Sequence, residues 1–299
     1  MLYRGINIDL NAVMKQKYDA YETAFAVGTK LTERWGQPVL VENKPGGSTI
    51  IGVDFVVKSP PDGYTLLLSN TSMMTINPYT FAKLPYDPEK SYKPVTGFLG
   101  ASLVLAVNAA NVPANNVKEF VAWAKTQSGG VSYASFTAGN SSHFAGVIMN
   151  QRTGLNMVHV PFNGTPPAVQ NLVGGQVHAA FLPLTAVRPH VESGKVKVLA
   201  IVGKRRSPLL DAPTLKEAGF EPPILSWVGM TAPAGTPKDI IAKLHADMAK
   251  GLRSPELTQR FNAQGFDIVA NTPAEASAFF KQEIDRWTAV VKQSGATVD

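Results

Sequence analysis

Residues 131–181 read VSYASFTAGNSSHFAGVIMNQRTGLNMVHVPFNGTPPAVQNLVGGQVHAAF. Three short apolar runs, 131–136, 158–162 and 177–181, have the length and composition of strands. Two helical stretches, 142–152 and 167–173, lie between them, and the second ends at Gly174-Gly175, a common helix stop. Strands alternating with helices in this way indicate a parallel sheet covered by helices.

The same grammar extends in both directions. Upstream, 25–35 reads as a helix, 38–42 as a strand, 43–48 as a loop, 50–58 as a helix and 64–68 as a strand, followed by a polar loop at 69–72. The pattern restarts after Phe98, with a strand at 103–107 and a helix at 117–125 that Asn115 or Asn116 would cap. A strand at 196–202 closes the block. The C-terminal part is helical. Thr236-Pro237-Lys238-Asp239 and Thr272-Pro273-Ala274-Glu275 each place a capping Thr before Pro and an acid three residues on. A chain that starts one unit, builds a second and returns to the first crosses between them twice. The expected lobes are 1–100 with 226–299, and 101–225, with hinges near 97–102 and 225–230.

Composition narrows the function. The chain has 299 residues, 44% hydrophobic and 17% charged, which suffices for two packed cores. Its net charge of +6 is diffuse, and the densest basic run is only Lys204-Arg205-Arg206. Nucleic-acid binders concentrate their charge in a stripe or patch, so a field that steers small anions is the better reading. With no cysteine, disulfides, thiolate metal sites and cysteine nucleophiles are excluded. No apolar run reaches membrane-spanning length, and residues 1–22 do not read as a signal peptide. The five histidines, His143, His159, His178, His190 and His245, show no H-x-x-x-H spacing. G-x-S-x-G, GxGxxG and Walker motifs are absent, so neither an enzyme nor a cofactor or metal is expected.

One local arrangement recurs. A strand ends, small hydroxyl or amide residues follow, and a helix begins, at 69–72, 137–142 and 163–166. The first N–H groups of a helix lack intrahelical partners and carry the positive end of its dipole. Small side chains let an anion approach them, which makes a carboxylate site without a cationic side chain. Each loop also has a plainer reading, as the cap of the helix after it.

Longer stretches carry a resemblance. They are KLTERWGQPVLVENKPGG, SPPDGYTLLLSNTS with INPYTF, VSYASFTAGNSSHFAG, MVHVPFNGTPPAVQNLVGGQV, RPHVESGKVKVLAI, KRRSPLLDAPTLKEAGF and the segment 227–237. Over residues 24–299 the chain resembles the substrate-binding proteins of tripartite tricarboxylate transporters, also called Bug-type solute receptors. The resemblance implies an α/β fold of the type II periplasmic-binding-protein kind, two lobes joined by two hinge crossings. It implies a small mono- or dicarboxylate in the interlobe cleft, held by backbone amides, hydroxyls and waters. A periplasmic location, a membrane permease as partner and a monomeric receptor follow from it. The alternative is a sensor subunit that signals to a membrane kinase or regulator.

The expected ligand contacts are Ser69, Asn70, Thr71, Ser72, Met74 and Asn77 from the first lobe. From the second they are Phe136, Thr137, Ala138, Gly139, Asn140, Ser141, Ser142, His143, Asn163, Gly164 and Leu182. Thr137, Ser141 and Ser142 are expected to donate hydroxyls. Three departures from the family pattern bear on the ligand. The first strand usually leads to a Pro-Gly-Gly loop and an Asp, but here the aligned stretch 11–21 is NAVMKQKYDAY. A weak or displaced first strand, and little anion binding by the first lobe, are expected. Leu182 stands where an acid or amide often does, and Met73, Met74 and Phe136 replace smaller or polar residues. These apolar side chains either shape a pocket for an aromatic body or pack beneath the loops.

Overall fold

The computed structural model describes residues 6–10, 19–44, 49–101, 103–203, 205–220, 226–263 and 266–294. From the amino end, β1 (Ile6–Leu10) is followed by α1 (Asp19–Trp35), β2 (Val39–Asn43), α2 (Ile50–Val57) and β3 (Thr65–Asn70). A π-helical turn at Ser72–Ile76 runs into the short α3 (Asn77–Thr80). Then come β4 (Tyr92–Ala101), β5 (Leu103–Asn108), α4 (Val117–Thr126), β6 (Ser132–Ser135), α5 (Ser141–Thr153), β7 (Val158–Pro161) and α6 (Thr165–Val173). β8 (Ala179–Pro183), α7 (Leu184–Glu192) and β9 (Val196–Val202) complete the central block. The chain continues with β10 (Ser226–Pro233), α8 (Lys238–Leu252), α9 (Pro255–Ala263), β11 (Phe266–Ile268) and α10 (Pro273–Ser294).

The strands form two mixed sheets, in the orders β11-β4-β10-β3-β1-β2 and β7-β6-β8-β5-β9. Parallel pairs join β3, β1 and β2 in one sheet and β7, β6 and β8 in the other, while β10 and β5 run antiparallel to their neighbours. The chain passes from the first sheet to the second between β4 and β5 and returns between β9 and β10. These are the two crossings of a two-lobed α/β fold. The expectation about β1 is corrected: it lies in register between β2 and β3, with Ile8 opposite Val41 on one side and Leu66 on the other. Five residues suffice because both edges of the strand are paired. Residues 11–18, which hold most of the aligned first carboxylate loop, lie outside the described residues.

The expected hinge stretches adjoin the two crossings. Gly97 N–H donates to Asn271 Oδ1 at 2.7 Å, and the Gly97 and Phe98 carbonyls accept from Ala270 and Val269. Residues 226–230 belong to the paired strand β10. The first hinge stretch is therefore paired through Ala101, which lies opposite Ser226 and Phe266, as Leu99 lies opposite Val228 and Ile268. Ser102 and residues 221–225 lie outside the described residues.

Each sheet has apolar clusters packed against it. Leu31, Leu66, Phe98, Leu244, Met248 and Phe261 fill one side of the first sheet, and Val53, Leu67, Met73, Trp227 and Phe280 form a second cluster there. Leu105, Phe120, Tyr133, Phe144 and Phe181 pack in one core of the second sheet, and Val104, Ala134, Leu172, Leu182 and Ile201 in another. α10 enters both lobes. Phe280 stacks on Trp227 with centroids 4.6 Å apart, and further along Trp287 meets Phe144 edge-on at 5.8 Å. Trp287, Val291 and Ile76 are members of the second lobe's core.

The capping expectations divide. Asn116 caps α4, accepting from Glu119 N–H. Thr272 and Glu275 form a reciprocal capping box at α10. Thr236 caps nothing: Pro237 takes the N-cap position, and the Thr236 hydroxyl donates to the Pro233 carbonyl at 2.8 Å.

α1 and α8 are clasped by one buried carboxylate. Asp247, whose side chain is 5% exposed, accepts from Trp35 Nε1 at 2.6 Å, from Lys243 at 2.9 Å and from Arg34. Burial pushes its pKa up, but the Trp35, Lys243 and Arg34 hydrogen bonds outweigh that and hold it at about 2. The folded pKa lies below the ordinary aspartate value of 3.8, so this contribution is present above pH 4 and is lost as pH falls through 2. Asp247→Asn is expected to cost about 2 kcal/mol at pH 7. Urea unfolding should show the deficit shrinking toward pH 2. A deficit independent of pH would mean that the carboxylate charge contributes nothing.

Candidate functional site

In the second lobe the carboxyl ends of β6 and β7 carry the two loops singled out in the sequence. After β6 the chain passes through Phe136, Thr137, Ala138 and Gly139 to Asn140, the N-cap of α5. Asn140 Oδ1 accepts from the N–H groups of Ser142 (3.0 Å) and His143 (3.1 Å). The second loop is tied to the first: Phe162 N–H donates to the Ser135 carbonyl at 3.0 Å, and Gly164 N–H to the Phe136 carbonyl at 2.9 Å. Gly164 has φ +107°, a conformation that excludes other residues, and it precedes α6. Asn163 is exposed beside it.

The hydroxyls differ. Ser142 is fully buried and its Oγ donates to the Phe181 carbonyl of β8. The expectation that this hydroxyl serves a ligand is therefore corrected: its single proton is used to join α5 to β8. Ser141 is also buried, at the first helical position, and its hydroxyl has no hydrogen-bond partner among the described residues. Its N–H is one that a helix leaves unpaired. Thr137 is half-buried and Ala138 exposed.

In the first lobe the loop after β3 is less open than its sequence suggests. Ser69 is buried and donates to the Gly229 carbonyl at 3.0 Å, and Thr71 Oγ1 accepts from Trp227 N–H at 3.0 Å. Both hydroxyls fasten β3 to β10. Asn70 Oδ1 accepts from Met73 N–H at 3.1 Å, and Ser72 opens the π-helical turn. Asn77 is buried, and its Nδ2 donates to Thr49 Oγ1 at 3.5 Å. Thr49 has φ 85°, a strained backbone for a β-branched residue, at the N-cap of α2. The sequence reading placed only a turn there.

Met73, Met74 and Leu182 are buried in the cores, and Phe136 packs half-buried against both clusters of the second sheet. For Met74 and Leu182 this corrects the expectation of a pocket wall: apolar side chains beneath these loops find complete burial against the sheets. The loops of the two lobes converge at the seam. Ile76, from the π-helical turn, shares a buried cluster with Phe144 of α5 and Trp287 of α10.

Sequence reading missed one pairing. The rings of His143 and His159 stack with centroids 3.9 Å apart and planes at 13°. Burial pushes both imidazoles down to about 4, and His143 pushes His159 the same way. His143 Nδ1 accepts from Gly139 N–H at 3.2 Å, and His159 Nε2 lies 2.7 Å from Ser135 Oγ. β6 and β7 are parallel neighbours, with Tyr133 opposite His159. Only that register brings residues so far apart in sequence together. Among the described residues no group of three metal-ligating side chains occurs.

The sequence model of the tripartite tricarboxylate transporter family receptor matches residues 24–296. BugT of Bordetella pertussis is 34% identical over 269 residues, covering 89% of this chain and 82% of its own. A solved periplasmic transporter is 34% identical and superposes with a TM-score of 0.85, covering 99% of this chain and 98% of its own. Rpa4515 of R. palustris, solved with adipate, is 26% identical with a TM-score of 0.85 and covers 98% of each chain.

Proposed function

Because the chain belongs to the tripartite tricarboxylate transporter receptor family, we propose that it captures a small carboxylate in the interlobe cleft, at the loop 137–143, and performs no chemistry on it. The observation that carries this reading is Ser141. The residue is largely buried, but its hydroxyl has no partner among the described residues and stands with a first-turn N–H at the amino end of the 13-residue helix α5. Both are donors, the helix dipole favours negative charge there, and no cationic side chain is needed. The adipate bound by Rpa4515 supports the ligand class. In this reading the lobes are 1–100 with 226–299, and 101–225. The protein works in the periplasm, the compartment of the solved periplasmic transporter; in this reading it is a monomer and hands its ligand to a membrane permease.

A thermal-shift screen against adipate, malate, citrate and benzoate, with sugars as controls, tests the proposal. A ligand at a hundredfold excess over Kd stabilises the folded state by about 2.7 kcal/mol, so at least one carboxylate is expected to raise the melting temperature. Ser141→Ala is expected to weaken that ligand about tenfold, the effect of one donor to a charged acceptor, with the unliganded melting temperature preserved. Stabilisation by sugars alone would end the proposal.

A further inference from the structure

His143, at the end of the loop 137–143, is linked to two residues outside it, His159 and Ser135. Ser135 is fully buried at the end of β6. Its Oγ lies 2.9 Å from the Thr137 carbonyl and 2.7 Å from His159 Nε2. A serine hydroxyl has one proton to give. Given to the Thr137 carbonyl, it leaves Ser135 Oγ as an acceptor, and His159 must then carry its proton on Nε2. His143 is constrained independently. Its Nδ1 accepts from Gly139 N–H, so a neutral ring holds its proton on Nε2. The stacking of the two rings fixes their relative orientation, and Tyr133 closes the group, its ring 5.1 Å from His159 and its hydroxyl donating to the His143 carbonyl at 3.0 Å.

We propose that Ser135, His159 and His143 form a neutral positioning relay that shapes the anion loop, with both imidazole protons on Nε2. The relay acts at two backbone points. It holds the Thr137 carbonyl, the negative end of a peptide dipole, back against the end of β6. It also holds Gly139, at φ +70°, through the N–H bound to His143. A carbonyl released toward the loop would repel a carboxylate, and a freed Gly139 would leave the approach to α5 undefined. His143 must stay neutral for this, since a charged ring has no acceptor for Gly139 N–H, and a charge on His159 would face that ring across a 3.9 Å stack. The low pKa values of the pair agree with that requirement. In the relay His143 acts through Gly139 rather than as the ligand contact expected from the sequence, and none of the three side chains touches the ligand, so they are positioning residues.

The proposal rests on the carboxylate reading of loop 137–143, and two measurements separate them. Nitrogen-15 NMR of histidine-labelled wild-type protein at pH 7, without ligand, is expected to show both rings neutral and protonated on Nε2. A ring protonated on Nδ1, or charged, overturns the relay. Affinity is then measured for whichever of adipate, malate, citrate and benzoate binds tightest. His159→Gln keeps a donor for Ser135 and is expected to bind within about threefold of wild type. His159→Leu removes the donor and is expected to weaken binding about tenfold. A Leu variant that binds like wild type, or a Gln variant as weak as Leu, overturns the relay while the receptor reading stands. Wild-type protein that binds none of the four overturns both.

Discussion

Trp287→Ala is expected to destabilise the protein by about 3–5 kcal/mol. Trp287 is 1% exposed and is one of the largest fully buried side chains. It comes from the C-terminal helix yet sits in the core of the central block, edge-on to Phe144. Truncation removes an indole from a packed interior, so lost transfer energy and an unfilled cavity act together. Trp287→Phe is the control. The Trp287 Nε1 has no hydrogen-bond partner among the described residues, so phenylalanine loses volume but no bond. It should cost about 1 kcal/mol, in the range of modest core truncations. Urea unfolding of the three proteins decides the matter. An alanine variant within 1 kcal/mol of wild type would mean that α10 is held by its first-lobe contacts alone, since about 3 kcal/mol is the floor for losing this side chain.

Gly146→Ala is expected to cost about 3 kcal/mol, toward the upper end of overpacking effects. On helix propensity alone the change should help by about 1 kcal/mol. The structure reverses the sign. A Cβ at Gly146 would lie 2.1 Å from two atoms of the Tyr133 ring. That ring is 1% exposed and has no room to retreat, with Phe181 edge-on at 5.8 Å and His159 at 5.1 Å. Tyr133→Leu should relieve the clash, so the double variant should be more stable than the sum of the single changes predicts. Calorimetry on the four proteins checks this. If Gly146→Ala melts at or above wild type, helix propensity governs the position and the packing argument is wrong.

The legible parts of the fold were those with strong local chemistry. Residues 131–136, 158–162 and 196–202 are runs of β-branched and small residues between turn formers, and all three are strands. α7 escaped notice because Pro189 lies inside it and no side chain caps it. β4 and β10 carry Pro94, Gly97, Gly100 and Gly229, which read as breakers. There they permit close approach, and a Cβ at Gly229 would lie 3.0 Å from the Thr96 carbonyl. In the candidate site, the position of loop 137–143 before a helix was readable from its small residues. The use of each hydroxyl was not. Ser141 and Ser142 are adjacent and identical in type, and only the placement of β8 assigns one to Phe181 and leaves the other free. The His143–His159 stack has the same origin, since it depends on strand register rather than on spacing along the chain.

The dual anchorage of α10 also bears on the order in which the chain assembles. Once residue 202 has been synthesised, all five strands of the second sheet exist. Their core still has an open socket, because Trp287 and Val291 are yet to be made. The first sheet waits longer for its strands, since β10 and β11 also follow that point. A nascent chain therefore carries exposed apolar surface in both halves until its last helix is complete. That helix contributes side chains to both interiors, so neither half completes its packing before the other.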